Sequence, residues 1–339
     1  MSPPALLARY GWNAEWAALA PAGADVGRIT RVDRGECDVL TAGGFVRAIS
    51  DSTRAQGEIA PATGDWVVVG DGPDDKHVID LVLPRRHTLV RRDPSETVVD
   101  QVLVANVDIV LLVHGLDRPL PPGWLERFLV QAWDSGAEPA VVLTKADLTE
   151  SIDETVGVIA AVAPGVPVLT VRRDTQAGVD ELRALVRSGC TAALLGASGV
   201  GKSTLVNLLT GADVRATQAV RARDAKGRHT TTARELLLVP GGGAIIDTPG
   251  VRAVGVWAGD DDALHRVFAD IEALAASCRF TDCAHDREPG CVVRGAVDDR
   301  RLARYRALLA ELRAVRAPRN AQQSTVRTPG GGRRRGKRG

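Results

Sequence analysis

The order of two short stretches constrains this chain more than any other feature. Residues 196–204 read GASGVGKST, between the apolar run TAALL and the helix-like TLVNLLTG. This matches GxxxxGK[ST] in the strand–loop–helix context that the pattern requires. Residues 144–147 read TKAD, directly after the apolar run AVVL, and begin 52 residues before the glycine loop. A fold that uses both stretches at one site must bring an earlier strand end beside a later one.

The glycine loop has the chemistry of a phosphate cradle. Its glycines let successive backbone N–H groups curl around an anion at the positive end of a helix. Lys202 would neutralise the β- and γ-phosphates and Ser203 would bind Mg²⁺. Gly196, Ala197, Ser198, Gly199, Val200, Gly201 and Thr204 complete the nucleotide-holding segment. TKAD resembles the [NT]KxD element that reads guanine. Asp147 would accept from guanine N1–H and the 2-amino group, a pattern adenine lacks. The aliphatic stem of Lys145 would cover the base. Thr144 stands where Asn is commoner, which gives up some loop-bracing hydrogen bonds. A second guanine loop is expected at Thr170-Val171 in VLTVRRD, offering a backbone N–H to guanine O6.

DTPG at 247–250 follows the strand GGAII. Asp247 would hold Mg²⁺ through water, and the Gly250 N–H would meet the γ-phosphate. GRHTTT at 227–232 lies between the two phosphate elements. One of its threonines would complete the Mg²⁺ shell; Thr230, Thr231 and Thr232 stay open, with Thr231 preferred. Val251 follows DTPG where many GTPases carry the glutamine that orients water, and an apolar side chain cannot do that work. His229 is the substitute at hand. No Lys-x-Asp follows an apolar strand beyond Gly250, so TKAD is the guanine element of a circularly permuted domain. The helix VDELRALVRSG then runs straight into the phosphate-loop strand. Close domain termini make such a rearrangement physically cheap.

The remaining chain divides by rhythm. Within 25–90, VGRITRV, CDVLT, GFVRAIS, DWVVVG and HVIDLVL are short β-type runs punctuated by Gly, Asp and Pro. They suggest a small closed barrel, with the OB-fold leading and an SH3-like barrel giving nearly the same signature. From about 98, VDIVLLVHGL, WLERFLVQAWDSG, PAVVLTKAD and VPVLTV alternate strand and helix, which indicates a mostly parallel sheet with ligand loops at its carboxyl ends. DALHRVFADIEALAAS is a helix leading into Cys278-x4-Cys283-x-His285-x5-Cys291. Three thiolates and one imidazole form a full tetrahedral set for one structural zinc. Cys37 and Cys190 are isolated and read as core or surface thiols. Residues 299–315 place Leu302, Tyr305, Leu308, Leu309, Leu312 and Val315 on one helical face.

Composition adds limits. Of 339 residues, 45% are apolar and 25% charged, ordinary for a globular chain, and the net charge is only +1. From Arg316 onward there are eight Lys or Arg and no acid, which suits phosphate-backbone contacts. The start lacks the pattern of a signal peptide, and no apolar run approaches the ~18 residues of a membrane span. The expected setting is cytoplasmic. The expected division is a barrel at 1–92, a permuted α/β domain at 93–258, a zinc-binding helical domain at 259–317 and a disordered basic tail at 318–339.

A small barrel, TKAD before GASGVGKS, then GRHTT and DTPG, then a Cys/His cluster, resembles the ribosome small subunit-dependent GTPase A family. The resemblance covers nearly the whole chain. It implies an OB-fold, a permuted GTPase and a zinc domain, with His229 as the catalytic group. It also implies hydrolysis of GTP to GDP and phosphate late in assembly of the 30S subunit, stimulated by that subunit, with the 30S subunit and its 16S rRNA as expected partners. A monomer is expected. The rivals are a nucleotide-regulated RNA-binding module whose hydrolysis is incidental, and a metabolic P-loop kinase, against which TKAD and DTPG argue.

Overall fold

A computed structural model describes residues 5–50, 59–91, 101–211, 234–248 and 261–325, with side chains to residue 314. The chain forms two compact units, Met1–Gly255 and Val256–Gly339.

The first unit opens with two short helices, α1 (Ala5–Arg9) and α2 (Ala14–Leu19). The Asn13 side chain caps α2 by accepting from the N–H groups of Glu15 and Trp16 at 3.0 and 3.1 Å. Such a cap satisfies donors that a helix start leaves without partners. Trp12 and Trp16 then pack on Trp66, with ring centroids 4.8 and 6.2 Å away.

Five strands follow: β1 (Val26–Val32), β2 (Glu36–Thr41), β3 (Gly44–Ile49), β4 (Trp66–Asp71) and β5 (His77–Val82). They are the five runs expected from the sequence. Their pairing runs β1-β2-β3-β5-β4 and closes through β4 on β1, with β3–β5 parallel and the other pairs antiparallel. That closed five-stranded order is the OB-type barrel, and closure removes the exposed edges. Ile29, Val39, Ala48, Val67, Val69 and Ile79 fill its interior. Cys37 is buried there, and burial pushes its thiol up to about 12.

Arg28 on β1 is also fully buried. It donates to the carbonyls of Gly64 (3.2 Å), Asn106 (3.0 Å) and Tyr10, and so ties the first helices, the barrel and the following sheet together. Burial lowers its pKa to about 10, opposed by the charges of Asp108 and Asp65.

Next come an antiparallel pair, β6 (Thr88–Arg91) and β7 (Gln101–Ala105), and then the α/β layer. Its elements are β8 (Ile109–Gly115), α3 (Trp124–Asp134), β9 (Glu138–Thr144), α4 (Ile152–Val162), β10 (Val168–Thr170), α5 (Val179–Leu185), β11 (Thr191–Leu195), α6 (Lys202–Thr210), β12 (Glu235–Leu238) and β13 (Ala244–Asp247). The sheet order is β10-β9-β8-β11-β13-β12. All neighbours are parallel except β12, which runs antiparallel to β13. Every residue of β8, β11 and β13 is buried, as expected for strands covered on both faces. A single register, Arg31 opposite Glu235, continues the sheet from β12 into β1.

The second unit contains α7 (Asp262–Val267), α8 (Ala269–Ala275) and α9 (Asp299–Thr325). Leu302, Tyr305, Leu308 and Leu312 are buried, and Phe268 meets the Tyr305 ring edge-on at 5.3 Å. Leu309 is half-buried. Arg301 fixes α9 to α8 through two 2.7 Å bonds to the Asp270 carboxylate. One expectation needs correcting. Disorder was expected from 318, yet α9 continues to Thr325. An established helix adds residues cheaply, so the segment past Pro318 continues α9 once the preceding turns are formed. Among the described residues no helix is long and apolar enough to cross a membrane.

Candidate nucleotide site and metal centre

Because β8, β9, β11 and β13 are parallel, their carboxyl ends share one edge of the sheet: Gly115, Thr144, Leu195 and Asp247. Ligand sites of open α/β sheets form along this edge. The glycine loop leaves β11 there. Gly196 has φ +154°, and a Cβ on it would come within 2.4 Å of the Val113 carbonyl oxygen. Gly201 has φ +98° and lies against the Thr144 side chain, where a Cβ would stand 3.2 Å from Oγ1. Val200 is buried in the core and anchors the loop, whereas Ser198, Gly199 and Ser203 are exposed and Ala197 and Thr204 half-buried. Lys202 opens α6 and curls back over the loop, donating to the Gly196 and Ala197 carbonyls at 2.7 and 2.9 Å.

Thr144 is buried at the end of β9. Its hydroxyl bonds to the carbonyl of Val200, with the His114 carbonyl also in reach at 3.3 Å. Threonine was expected to give up some of the loop-bracing hydrogen bonds of asparagine; its hydroxyl supplies one direct brace between the two loops. Lys145 adopts a left-handed backbone (φ 57°), and its ammonium donates to Asp117 Oδ2 at 2.8 Å. Asp117 also accepts from Arg118 at 3.1 and 3.4 Å. Bonds from Arg118 and then Lys145 lower its carboxyl to about 2. Asp147 is exposed on the short 3-10 turn Ala146–Leu148.

Thr170 ends β10 beside this turn. The Val171 N–H donates to the Leu143 carbonyl at 2.7 Å, and its side chain is buried. Its donor is therefore taken by the extension of the sheet and does not serve guanine O6 as expected. The Arg172 N–H is likewise given to Ala177 at 3.0 Å. The Arg172 guanidinium reaches the Ala146 carbonyl at 3.4 Å and pairs with Asp174, which raises its pKa. It links the two loops.

Asp247 is 9% exposed at the end of β13. The next residue, Thr248, bonds through its hydroxyl to the Leu194 carbonyl and joins this strand end to β11. Gly250, Val251, His229, Thr230, Thr231 and Thr232 lie outside the described residues.

In the second unit, single donor atoms of Cys278, Cys283, His285 and Cys291 lie within 4.8 Å of one another and can hold a metal ion. His285 Nδ1 stands 3.7 Å from Cys278 Sγ and 3.5 Å from Cys291 Sγ. The N–H groups of Val292 and Arg294 point at Cys278 Sγ and Cys291 Sγ, both at 3.4 Å. The Glu288 carboxylate orders the ligand loop by accepting from the N–H groups of Ala284, Asp286 and Arg287 at 3.1, 2.9 and 3.1 Å. The sequence reading missed Glu288, and it missed Asp117, Arg118, His114 and Arg172 beside the nucleotide edge. Position was their one signal: Glu288 lies within the Cys/His spacing, and the others stand at or just past the ends of β8 and β10.

A phosphate loop, a TKAD loop and an Asp-Thr strand end on one parallel edge, in permuted order, define a circularly permuted GTPase. Residues 82–257 match the family described as RsgA GTPase. The small ribosomal subunit biogenesis GTPase RsgA of Streptomyces avermitilis is 47% identical over 329 residues, covering 93% of this chain and 88% of that protein. The protein of the same description from Streptomyces coelicolor is 46% identical over 93% of this chain and 89% of its own. Among solved structures, YjeQ from Thermotoga maritima aligns with a TM-score of 0.61 at 25% identity, covering 85% of this chain and 98% of that one. YloQ, described as a circularly permuted GTPase, shares the fold with a TM-score of 0.61 at 23% identity, over 86% and 96% of the two chains. The chain belongs to the RsgA GTPase family.

Proposed function

We propose that this GTPase acts in biogenesis of the small ribosomal subunit, binding the 30S particle with GTP and leaving it after hydrolysis. The observation that carries the proposal is near-full-length similarity to relatives named for that role, 47% identical over 93% of this chain in the Streptomyces avermitilis protein. The chemistry of the strand edge supports it. Asp147 reads guanine from its exposed turn, and Lys145 flanks the base. Arriving phosphates take the Lys202 ammonium from the Gly196 and Ala197 carbonyls, exchanging neutral acceptors for charged ones. Ser203, Thr231 and Asp247 are the residues that would hold Mg²⁺, which supplies charge neutralisation between the β- and γ-phosphates. Gly250 would report the γ-phosphate, and His229 would orient water in place of the glutamine that Val251 displaces.

The three thiolates and imidazole of the second unit fit zinc, whose structural sites use this donor set. Folding of that unit around zinc would present α9 and the eight basic residues from Arg316 onward to 16S rRNA. We retain a barrel at 1–92, a permuted GTPase domain at 93–258 and a zinc domain from 259 as functional divisions of a cytoplasmic monomer. Cosedimentation tests the reading. Purified 30S particles should carry the protein down with a non-hydrolysable GTP analogue and release it with GDP. Equal recovery in both states would reduce it to an RNA-binding module whose hydrolysis is incidental.

A further inference from the structure

We infer that Asp117 is a positioning residue for the guanine site, anchoring the Lys145 ammonium so that its aliphatic stem stands as a fixed wall for the base. The inference rests on the reading of TKAD as the guanine loop. Lys145 Nζ and Asp117 Oδ2 are 2.8 Å apart. The stem passes Gly115, where an added Cβ would lie 3.4 Å from Lys145 Cδ and 3.5 Å from Val200 Cα. The stem therefore runs between the guanine loop and the phosphate loop. A side chain at 115 would stand 2.6 Å from Asp117 Oδ1, so glycine clears the path of the pair.

The turn carrying Asp117 is itself fixed. Leu116 N–H donates to the Thr144 carbonyl at 2.9 Å, and Arg118 N–H to the Gly115 carbonyl at 3.4 Å. His114 Nε2 holds the Arg118 carbonyl at 3.2 Å. An anchor on such a turn constrains a side chain better than one on a free loop. Arg118 shares the carboxylate, so the anchor brings no net negative charge to a site for an anionic ligand. A free lysine has many rotamers, and fixing it on ligand arrival weakens binding. The anchor removes that loss before the nucleotide enters. It acts on the base side, so GDP and GTP benefit alike and the hydrolytic step does not.

The test measures GDP and GTP affinity and saturated kcat for the full chain. With both partners about a quarter exposed, Asp117→Asn is expected to weaken GDP and GTP together, by about three- to tenfold. The preference for guanine over adenine and kcat should stay at native values. In a Lys145→Met background, which keeps an apolar stem without the ammonium, the same Asn substitution should change nothing. Native affinity in Asp117→Asn would overturn the inference, as would an equal loss in both backgrounds. Asp147→Asn, measured alongside, separates the two readings. If it abolishes guanine preference while Asp117→Asn is neutral, the anchor alone fails. If it leaves guanine preference intact, the guanine loop itself has been misread.

Discussion

The Thr144 hydroxyl bonds to the carbonyl of Val200, 56 residues further along the chain. The contact follows from sheet order, since β9 and β11 both flank β8 and end on the same edge. Circular permutation changes which segment is made first but leaves this adjacency intact. Loop-to-loop contacts across strand ends thus assemble the site whichever way the chain enters it.

Thr144→Val removes the hydroxyl at nearly constant volume and leaves a buried carbonyl without its partner. Leaving such a group unsatisfied costs about 1–3 kcal/mol. Urea unfolding should show a loss in that range, and nucleotide titration should show weaker binding of GDP and GTP together. Thr144→Asn offers an amide donor and should recover binding. Full native affinity in the valine variant would show that the brace has no functional consequence.

The metal centre predicts one zinc per chain by elemental analysis. Because metal binding and folding are coupled in such sites, Cys278→Ser or Cys291→Ser should lose the metal and melt the helices of the second unit. The barrel and the α/β sheet should stay folded, with nucleotide binding retained. Zinc-free protein with native helicity and native stability would contradict this account.

His114 gives a pH dependence whose sign is fixed. Burial lowers its pKa below 6.5, while its bond to the Arg118 carbonyl acts in the opposite direction. Above 6.5 the ring is neutral in both folded and unfolded chains, so it contributes no pH dependence. As pH falls below 6.5 the unfolded chain takes the proton first, and stability declines until the lower folded pKa is passed. Unfolding midpoints between pH 7.5 and pH 5 should therefore fall more steeply for the native chain than for His114→Phe, by roughly 1.4 kcal/mol for each unit by which the pKa is lowered. Parallel profiles would remove His114 from the explanation.

Much of the architecture was legible because its determinants are local. GASGVGKST needs left-handed glycines before a helix, and the five barrel runs are short β-type segments set between turn-forming stretches. The metal set is legible from spacing alone. What escaped has physical reasons. The strand Thr88–Arg91 is four residues long and pairs with Gln101–Ala105, so no single window shows the hairpin. Glu235–Leu238 has the β13 partner that makes it a strand, but no alternation of its own. Val171 looked available because sequence does not say that β10 extends its ladder by one more bond to Leu143. Asp117 carries no motif, and its meaning comes from Lys145, 28 residues away.

We propose that a slow intrinsic GTPase is completed by the small ribosomal subunit. Multiple-turnover phosphate release from GTP, with and without purified 30S particles and with ATP as comparator, tests it most directly. Alone, the protein should turn over slowly, because Val251 stands where a water-orienting glutamine would be. Completion of a site by a partner can raise GTP hydrolysis by as much as ~10³–10⁵-fold, so a large 30S-dependent increase is predicted for GTP and none for ATP. His229→Ala should still bind GTP and 30S particles but lose most of the increase, whereas Lys202→Ala should lose nucleotide affinity as well. Native protein that hydrolyses GTP at one rate with and without 30S particles would contradict the account.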